Sequence, residues 1–452
     1  MPIQLRPEAP NNDFLLKPGL YHFELKEGED KVRVHLRVDP DGCGLLLINA
    51  SRVVQLNPTA AQMAYLVLKR TPLRQSIRFF TTHFNVSRKQ AGIDYVTVFE
   101  QLNTLIKGDN ICPVCDLALD TTLPFSARPS APYRMDLALT YRCNNACSHC
   151  YNARVRDYPE LDTLSWKKIL DILWDLRIPH IVFTGGEPTL REDLPELVAY
   201  AEGKGLITGL NTNGRRLADN TFLNALVTAG LDHVQITFES HDPAIHDCMV
   251  SARGAHAETL AGMRNVLASS LYMMTNTTLL SHNSPMLEQT LNFLADEGVP
   301  TVGLNALIYA GRGQTVKSGL PEADLPPLLE IARRITDQRG QRLIWYTPTQ
   351  YCHFNPMQLQ LGIKGCTAAL YNMCIEPEGS VLPCQSYYHS LGNILSEPWE
   401  AIWQHPLAVS IRERADIPDG CRACDFLNEC GGGCPLARQV QSISPIQNEV
   451  FI

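Results

Sequence analysis

Cysteine is the feature that most constrains this chain, because ten of its 15 cysteines fall into two dense clusters. The first cluster is a Cys-x3-Cys-x2-Cys run formed by Cys143, Cys147 and Cys150. The second contains seven cysteines, namely Cys366, Cys374, Cys384, Cys421, Cys424, Cys430 and Cys434. Residues 1–14 lack a signal-peptide pattern and no apolar run approaches membrane-spanning length, so we expect a cytoplasmic protein. In a reducing compartment, clustered thiols favour metal or cofactor binding over disulfides.

Length and charge narrow the classes of protein further. A chain of 452 residues predicts two to four domains, and 45% hydrophobic with 19% charged residues is typical of a globular protein. The 39 basic and 47 acidic residues give a net charge of -8, which argues against non-specific attraction to nucleic acid or anionic membranes. We therefore expect neither partner.

Residues 1–110 predict a small α+β domain that resembles winged-helix modules. Alternating patterns predict strands at 31–38, 45–48 and 53–56, with a turn at Ala50 and Ser51. Asn57 is predicted to cap a helix that begins at Pro58, and helical patterns cover 73–84 and 89–106. Residues 111–132, rich in Pro, Asp, Ser and Thr, predict a linker.

Residues 133–320 predict an α/β domain with a parallel sheet, either doubly wound or a barrel. The predicted strands are 135–140, 180–184, 206–210, 233–238, 271–278 and 302–308. Helices are predicted to begin near Ser165, Leu194, Arg216, His256 and Pro285. Polar residues follow each strand, and such folds place their chemistry at these carboxyl ends. Residues 321–452 predict a helix to Arg339 and then a cysteine-rich region with too little apolar surface to be stable without metal.

The first cluster supplies three thiolates from one loop, whereas a fully ligated 4Fe-4S cluster needs four. One iron would therefore be left open, which is typical of a catalytic metal site rather than a structural one. The alternative is a zinc half-site completed by His149 or by a distant residue.

Residues 141–151 resemble the CxxxCxxC signature, with its trailing aromatic Tyr151, of the radical S-adenosylmethionine (SAM) enzymes. The resemblance implies a partial (β/α)6 barrel and a 4Fe-4S cluster whose open iron is chelated by SAM. It also implies that the cluster cleaves SAM reductively to a 5′-deoxyadenosyl radical, which abstracts hydrogen from the substrate. The expected electron donor is a reductant such as flavodoxin or ferredoxin.

Further residues match positions that hold SAM in that family. Gly185, Gly186 and Glu187 resemble its GGE motif, in which backbone without Cβ approaches the ammonium of the cofactor. The other predicted contacts are Tyr151, Asn211, Asn213, Glu239, Arg253, Asn276 and Leu304. For Arg253 and Leu304, a surface arginine and a core leucine are the competing interpretations.

The C-terminal cysteines resemble the SPASM extension of radical SAM peptide maturases, which binds auxiliary 4Fe-4S clusters. The resemblance implies a first auxiliary cluster held by Cys366, Cys374, Cys384 and Cys434. It implies a second held by Cys421, Cys424 and Cys430. The family's last cysteine lies further downstream, whereas none follows Cys434 here. The second cluster then has an open iron, takes a ligand from Cys352, Cys112 or Cys115, or is not assembled. For the Cys112-x2-Cys115 pair, a redox role and half a zinc site also stay open.

Residues 48–107 resemble the peptide-recognition domain typified by the pyrroloquinoline-quinone (PQQ) chaperone, which binds a precursor's leader peptide as an extra strand. A DNA-binding winged helix is the alternative, although residues 88–100 carry no basic stripe. Together the resemblances predict an oxidoreductase that modifies a ribosomally made peptide or protein by cross-linking, thioether formation or oxidation. The alternatives are a radical SAM enzyme of haem or tetrapyrrole biosynthesis and a non-catalytic iron-sulfur redox regulator.

Overall fold

The computed structural model describes residues 16–27, 30–49, 52–107, 129–153, 156 and 158–443. They form two compact units: unit 1 lies within 1–130 and 174–179, and unit 2 within 131–173 and 180–452. The predicted turn at Ala50 and Ser51 and the pair Cys112 and Cys115 lie outside the described residues. No helix in the described ranges is long and apolar enough to span a bilayer.

Unit 1 combines a four-stranded antiparallel sheet with three helices. The strands pair in chain order, as β1 (Gly19–Glu27), β2 (Asp30–Val38), β3 (Gly44–Ile48) and β4 (Arg52–Leu56). The helices are α1 (Pro58–Leu68), α2 (Leu73–His83) and α3 (Arg88–Lys107). As predicted, Asn57 caps α1, and its side chain accepts a 2.9 Å hydrogen bond from the Ala60 N–H. Strand β1 was not predicted, although Tyr21, Phe23 and Leu25 alternate along it and pack on the core of this unit.

Unit 2 is built on one nine-stranded sheet. Its first six strands, which confirm the six predicted ones, are β5 (Arg134–Thr140), β6 (His180–Gly185), β7 (Ile207–Thr212), β8 (His233–Thr237), β9 (Tyr272–Thr278) and β10 (Thr301–Asn305). These strands are parallel and lie side by side in chain order. A doubly wound sheet would reverse its strand order at a switch point. The sequential order is therefore that of a partial barrel.

Helices connect the strands of unit 2. Those of the barrel region are α4 (Thr163–Asp175), α5 (Leu194–Lys204), α6 (Asn220–Thr228), α7 (Pro243–Val250), α8 (Ala255–Leu267), α9 (Leu287–Asp296) and α10 (Leu325–Arg339). Near Arg216 and Pro285 the chain first forms short 3-10 turns, and α6 and α9 begin two residues and one residue, respectively, after those turns end. Helix α7 was not predicted, although Asp242 caps it and Pro243 opens it.

Residues beyond 321 extend the same sheet on both sides. Strand β11 (Arg342–Trp345) pairs with β10, while β12 (Asn372–Ile375) pairs in parallel with β5 and in antiparallel with β13 (Val381–Leu382). The remaining helices are the short α11 (Trp399–Trp403), α12 (Pro406–Arg412), α13 (Asp419–Arg422), α14 (Leu427–Cys430) and α15 (Pro435–Ile443). The register places Cys374 directly opposite Asp136. The cysteine-rich region and the barrel are thus parts of one sheet.

Candidate active site

The loop that follows β5 brings its three cysteines together. Burial raises the pKa of Cys147, and the neighbouring thiols of Cys150 and Cys143 raise it further. Burial likewise raises the pKa of Cys143 to about 11, with Glu187 and Cys150 adding to the effect. Such thiols lose their protons when a cation binds them, which is the condition for iron ligation. The donor set therefore fits a 4Fe-4S cluster with three protein ligands.

The cysteine loop is held in place by backbone contacts with the end of α7. The N–H of Ala146 donates to the carbonyl of Val250, and the N–H of Ser148 donates to that of Met249, both at 3.0 Å. These two bonds fix the loop on either side of Cys147.

Two residues that sequence reasoning missed support the same loop from the segment after β10. The backbone N–H of Arg312 donates to the Cys150 carbonyl, and its Nη1 donates to the Cys147 carbonyl, both at 2.9 Å. Gly311 has φ +55°, and a Cβ there would lie 2.4 Å from the carbonyl oxygen of Tyr151. In the sequence, the only indication of this role is that Gly311 and Arg312 follow closely on the end of a predicted strand.

The two glycines of the GGE motif pack directly against the chain that leads into Cys143. A Cβ on Gly185 would lie 2.1 Å from the Thr140 carbonyl oxygen, and one on Gly186 would lie 2.4 Å from that of Arg142. The N–H groups of Gly186 and Glu187 donate to these two oxygens at 2.7 and 2.8 Å. The glycines are thus required by protein packing as well, and their approach to SAM stays a prediction.

The carboxylate of Glu187 joins the ends of β6 and β7. Its Oε1 accepts from the hydroxyls of Thr189 and Thr212, each at 2.6 Å, and from the Thr189 N–H at 3.1 Å. Its Oε2 accepts from the Asn213 N–H at 2.7 Å. Burial raises the pKa of Glu187, and these donors oppose that rise. Both oxygens are therefore engaged by donors within the chain.

Asn213 links the third strand end to the cysteine loop. Its Nδ2 donates to Oδ1 of Asn144 at 2.6 Å, and Arg215 donates from Nη1 to the Asn144 carbonyl at 2.6 Å. Asn211, also predicted as a SAM contact, is half-buried near the end of β7. The structure thus brings this rim next to the cluster loop.

Glu239 meets His149, the histidine between the second and third cysteines. Oε1 of Glu239 lies 3.0 Å from Nε2 of His149, while Oε2 accepts from the Thr278 N–H at 2.9 Å. Glu239 is 1% exposed. This contact gives His149 a partner other than the zinc of the alternative interpretation.

The four remaining residues that were predicted to contact SAM differ in their burial and in their partners. Asn276 accepts at Oδ1 a 2.8 Å bond from Nδ2 of Asn305 on the adjacent strand. Leu304 is fully buried in β10, and Arg253 is exposed between α7 and α8. The carbonyl oxygen of Tyr151 accepts from the hydroxyl of Tyr388, and burial raises the pKa of the Tyr151 phenol well above its ordinary value. Contact of all four with SAM stays a prediction.

The four cysteines assigned to the first auxiliary cluster converge from four separate segments. Burial raises the pKa of Cys366, and the thiols of Cys434 and Cys384 raise it further. Burial raises the pKa of Cys384 to about 12. Burial also raises the pKa of Cys374, and the thiol of Cys384 adds to that rise. These effects indicate that the thiols lie within electrostatic range of one another, and their binding of a cluster stays a prediction.

The three cysteines assigned to the second auxiliary cluster lie on α13, the loop after it and α14. Cys430 is buried, Cys421 is half-buried and Cys424 is exposed. Across the ranges that the structure describes, no group of three His, Cys, Asp or Glu side chains is placed so that it could hold one metal ion. A 4Fe-4S cluster, in contrast, binds each thiolate through a different iron.

A buried polar network that sequence reasoning missed joins the two cysteine regions. Oε1 of Glu376 accepts from the hydroxyl of Tyr141 at 3.0 Å and from that of Tyr158 at 3.3 Å. Nε of Arg156 also donates to it at 3.3 Å, and the guanidinium lies 3.2 Å from the Tyr141 ring centroid. Glu376 follows Cys374 by two residues. The network therefore spans from the catalytic loop to the first auxiliary site.

Asp136 is a second group that the sequence did not reveal. It is fully buried, and its Oδ1 accepts a 2.8 Å bond from Nε of Arg134. Its Oδ2 has no hydrogen-bond partner within the described residues. Cys374 lies directly opposite it in the pairing of β12 with β5. A buried carboxylate oxygen without a partner is uncommon, and a bound water or ligand would satisfy it.

Comparison with protein families agrees with this geometry. Residues 137–305 match the radical SAM superfamily, and residues 366–425 match the SPASM iron-sulfur cluster-binding domain. The chain thus carries a radical SAM domain and is an enzyme that uses SAM and 4Fe-4S clusters. It carries a SPASM domain as well.

Solved structures show the same fold. Streptococcus suis SuiB bound to its precursor peptide SuiA superposes with a TM-score of 0.67 at 16% identity, over 92% of this chain and 96% of that one. SuiB bound to S-adenosylmethionine gives 0.66 at 17% identity, over 89% and 95%. AnSMEcpe with bound AdoMet gives 0.57 at 16% identity, over 69% of this chain and 91% of that chain.

Proposed function

We propose that this radical SAM enzyme modifies a ribosomally made peptide or protein by abstracting a hydrogen atom from it. The observation that carries the proposal is the extent of the likeness to SuiB, which was crystallised with a precursor peptide and covers 92% of this chain. The likeness to anSMEcpe covers 69%, which is close to the fraction of residues in unit 2. The SuiB likeness therefore includes much of unit 1 as well.

Unit 1 offers the kind of surface on which an extended peptide binds. Strands β1 and β4 are the two edges of its sheet, and an edge strand can pair with a peptide backbone. Helix α3 presents three exposed apolar side chains at a spacing of three residues: Ile93 (49%), Val96 (42%) and Phe99 (47%). Apolar side chains of this kind supply the hydrophobic part of a peptide interface. We assign leader-peptide binding to unit 1.

Unit 2 supplies the chemistry. Cys143, Cys147 and Cys150 would hold the catalytic cluster, and a cluster bound there would supply the electron for reductive cleavage of SAM. Asp136 is the proposed substrate-facing carboxylate, because its free Oδ2 can bind an amide or accept a proton from the substrate. We also propose a flavodoxin or ferredoxin as the electron donor and the cytoplasm as the location.

The test of activity uses peptides encoded by short reading frames beside the gene. Each synthetic peptide is incubated anaerobically with the reconstituted full chain, SAM and dithionite, and its mass is measured. We expect 5′-deoxyadenosine together with a mass change in one peptide, and neither product with Cys143→Ala. Formation of 5′-deoxyadenosine with every peptide unchanged, and a porphyrinogen converted instead, would contradict the proposal.

Binding is tested separately from chemistry on the same full chain. Phe99→Glu places a charge on the exposed stripe of α3 and is expected to weaken binding of the modified peptide by at least about tenfold. Leu164→Glu is the matched control, because Leu164 is an apolar side chain of unit 2 that is 67% exposed. Equal affinities of the two variants would exclude the α3 surface.

A further inference from the structure

The second auxiliary set of cysteines holds three thiols, whereas a fully ligated 4Fe-4S cluster takes four. Five cysteines have no predicted cluster: Cys43, Cys112, Cys115, Cys248 and Cys352. Cys43 lies in unit 1, Cys248 lies on α7, and Cys112 and Cys115 lie outside the described residues. Among the three that the structure describes, Cys352, which follows β11, is the one whose neighbouring residues contact predicted ligands of this set.

The chain next to Cys352 touches a ligand sulfur directly. The backbone N–H of Tyr351 donates to Sγ of Cys430 at 3.4 Å, and that sulfur also lies 3.6 Å from the Thr349 carbonyl oxygen. The ring of Tyr351 contacts the ring of Phe426, with centroids 6.3 Å apart. Phe426 lies between Cys424 and Cys430 in the sequence. The segment before Cys352 is therefore packed on the loop that carries all three thiols.

A glycine in the Cys-Gly-Gly-Gly-Cys run makes this close packing possible. Gly433 has φ +72°, and a Cβ there would lie 2.9 Å from Cγ and 3.1 Å from the backbone N of Gln350. No other residue would let the two backbones approach so closely while keeping that dihedral angle. The segment of Cys352 and the cysteine run are thus fitted to each other.

Cys352 is an exposed residue that immediately follows Tyr351, so its backbone begins one residue from the N–H group that donates to Sγ of Cys430. Cys421 comes from α13 and Cys430 from α14, so Cys352 approaches from a third segment. A thiolate from this third segment would complete the set of four ligands that begins with Cys421, Cys424 and Cys430.

We propose that Cys352 is the fourth ligand of the second auxiliary 4Fe-4S cluster, together with Cys421, Cys424 and Cys430. The cluster then has no open iron for substrate and serves electron transfer. This inference rests on the SPASM domain and holds whichever substrate the enzyme modifies.

The test uses the full chain with Cys143, Cys147 and Cys150 all replaced by Ala, so that only auxiliary clusters assemble. This parent is expected to hold about eight iron atoms and to show no 3Fe-4S signal in electron paramagnetic resonance after mild oxidation. Adding Cys352→Ala is expected to remove about one to four iron atoms, with a 3Fe-4S signal wherever three remain. Adding Cys248→Ala, an exposed cysteine on α7, is expected to change neither readout.

Three results would overturn the proposal. The first is a Cys352→Ala protein that keeps the iron content and spectrum of its parent. The second is a parent that already gives the 3Fe-4S signal, which means that an iron is open with Cys352 present. The third is a parent with only about four iron atoms, which means that the second cluster is not assembled. The iron retained in the first auxiliary cluster and the circular dichroism spectrum show that each variant is folded.

Discussion

Nη1 of Arg312 donates a 2.9 Å hydrogen bond to the carbonyl oxygen of Cys147, although 165 residues separate the two. The charge of Arg312 also acts on the thiol of Cys150. Burial raises the pKa of that thiol, and the positive charge of Arg312 lowers it. A cation in this position stabilises negative charge on the cysteine loop. It is therefore expected to favour the reduced form of a cluster bound there.

Replacing Arg312 by Gln is expected to lower the reduction potential of the catalytic cluster by on the order of tens of millivolts, because a positive charge is lost. Arg312→Lys keeps the charge and should shift the potential less. The potentials are measured by redox titration followed by electron paramagnetic resonance. Arg339→Gln, which alters an exposed ion pair with Asp296, is the control. Equal shifts for Gln and Lys would assign the effect to the hydrogen bond.

Gly186→Ala is expected to abolish the catalytic cluster while sparing the auxiliary ones. The added Cβ would lie 2.4 Å from the Arg142 carbonyl oxygen and displace the chain entering Cys143. Iron analysis should show a loss of roughly four atoms per chain, with no 5′-deoxyadenosine formed. Gly203→Ala on α5 is the matched control, because nothing lies within 4 Å of its Cβ position. Full iron content in both variants would contradict the prediction.

Glu187→Gln is expected to destabilise unit 2 by about 2 kcal/mol, because an amide NH2 would face N–H groups and hydroxyls that donate to the carboxylate in the native protein. The four bonds to Glu187 come from two N–H groups and two hydroxyls. In one orientation the new NH2 group would face the Asn213 N–H. In the other it would face the Thr189 N–H and two hydroxyls, which would have to rotate. Urea unfolding measures the loss. Glu196→Gln, which alters an exposed pair with Lys167, should change stability by less than about 0.5 kcal/mol.

His233 is expected to make the folded chain sensitive to acid. Burial lowers its pKa to about 4, and its Nε2 lies 3.0 Å from Nε2 of His180. The unfolded chain binds the proton near pH 6.5, so the stability is present above that pH and is lost as the pH falls toward 4. Between pH 7 and 5 the cluster-free chain should lose roughly 1 to 2 kcal/mol more than His233→Phe. Parallel losses in urea titrations would show that His233 is not responsible.

Asp136→Asn is expected to separate SAM cleavage from substrate conversion. If Oδ2 accepts a proton from the substrate, product formation should fall by roughly a hundredfold while 5′-deoxyadenosine continues to form. Mass spectrometry of the peptide and chromatography of the nucleoside measure the two. Asp171→Asn on α4 is the control, because Asp171 is half-exposed and paired with Lys204. Normal product yield with Asp136→Asn would remove this residue from the proposed mechanism.

The parts of the fold that the sequence predicted are those with strong local patterns. Strands β5, β6 and β10 are buried almost throughout, whereas β8 and β9 alternate in burial; both patterns are local, so β5 to β10 were located to within a few residues. Strands β11, β12 and β13 have only two to four residues, which is too short for a period to emerge. Their assignment depends on partners such as Arg134 for Asn372, which lie far away in the sequence.

For the site as well, residues in local motifs could be predicted from the sequence, and residues that act through distant contacts could not. Cys143, Cys147 and Cys150 stand at fixed local spacing, and the GGE motif follows the next strand, so both were visible in the sequence. Arg312 and Glu376 act on the catalytic loop from 165 and 235 residues away, and no local pattern records such pairing. The same applies to Cys352, which the sequence left as one of three candidates and which only the hydrogen bond from its neighbour Tyr351 to Cys430 distinguishes.

The pairing of β12 with β5 also concerns how the chain is made. Strand β5 leads into the catalytic cysteines, yet its neighbour on one side is synthesised more than 200 residues later. On the ribosome, β5 therefore remains an unprotected edge until residue 375 has emerged. Iron delivery to the catalytic loop is then expected to follow release of nearly the whole chain, so the last part to be translated governs when the first metal site matures.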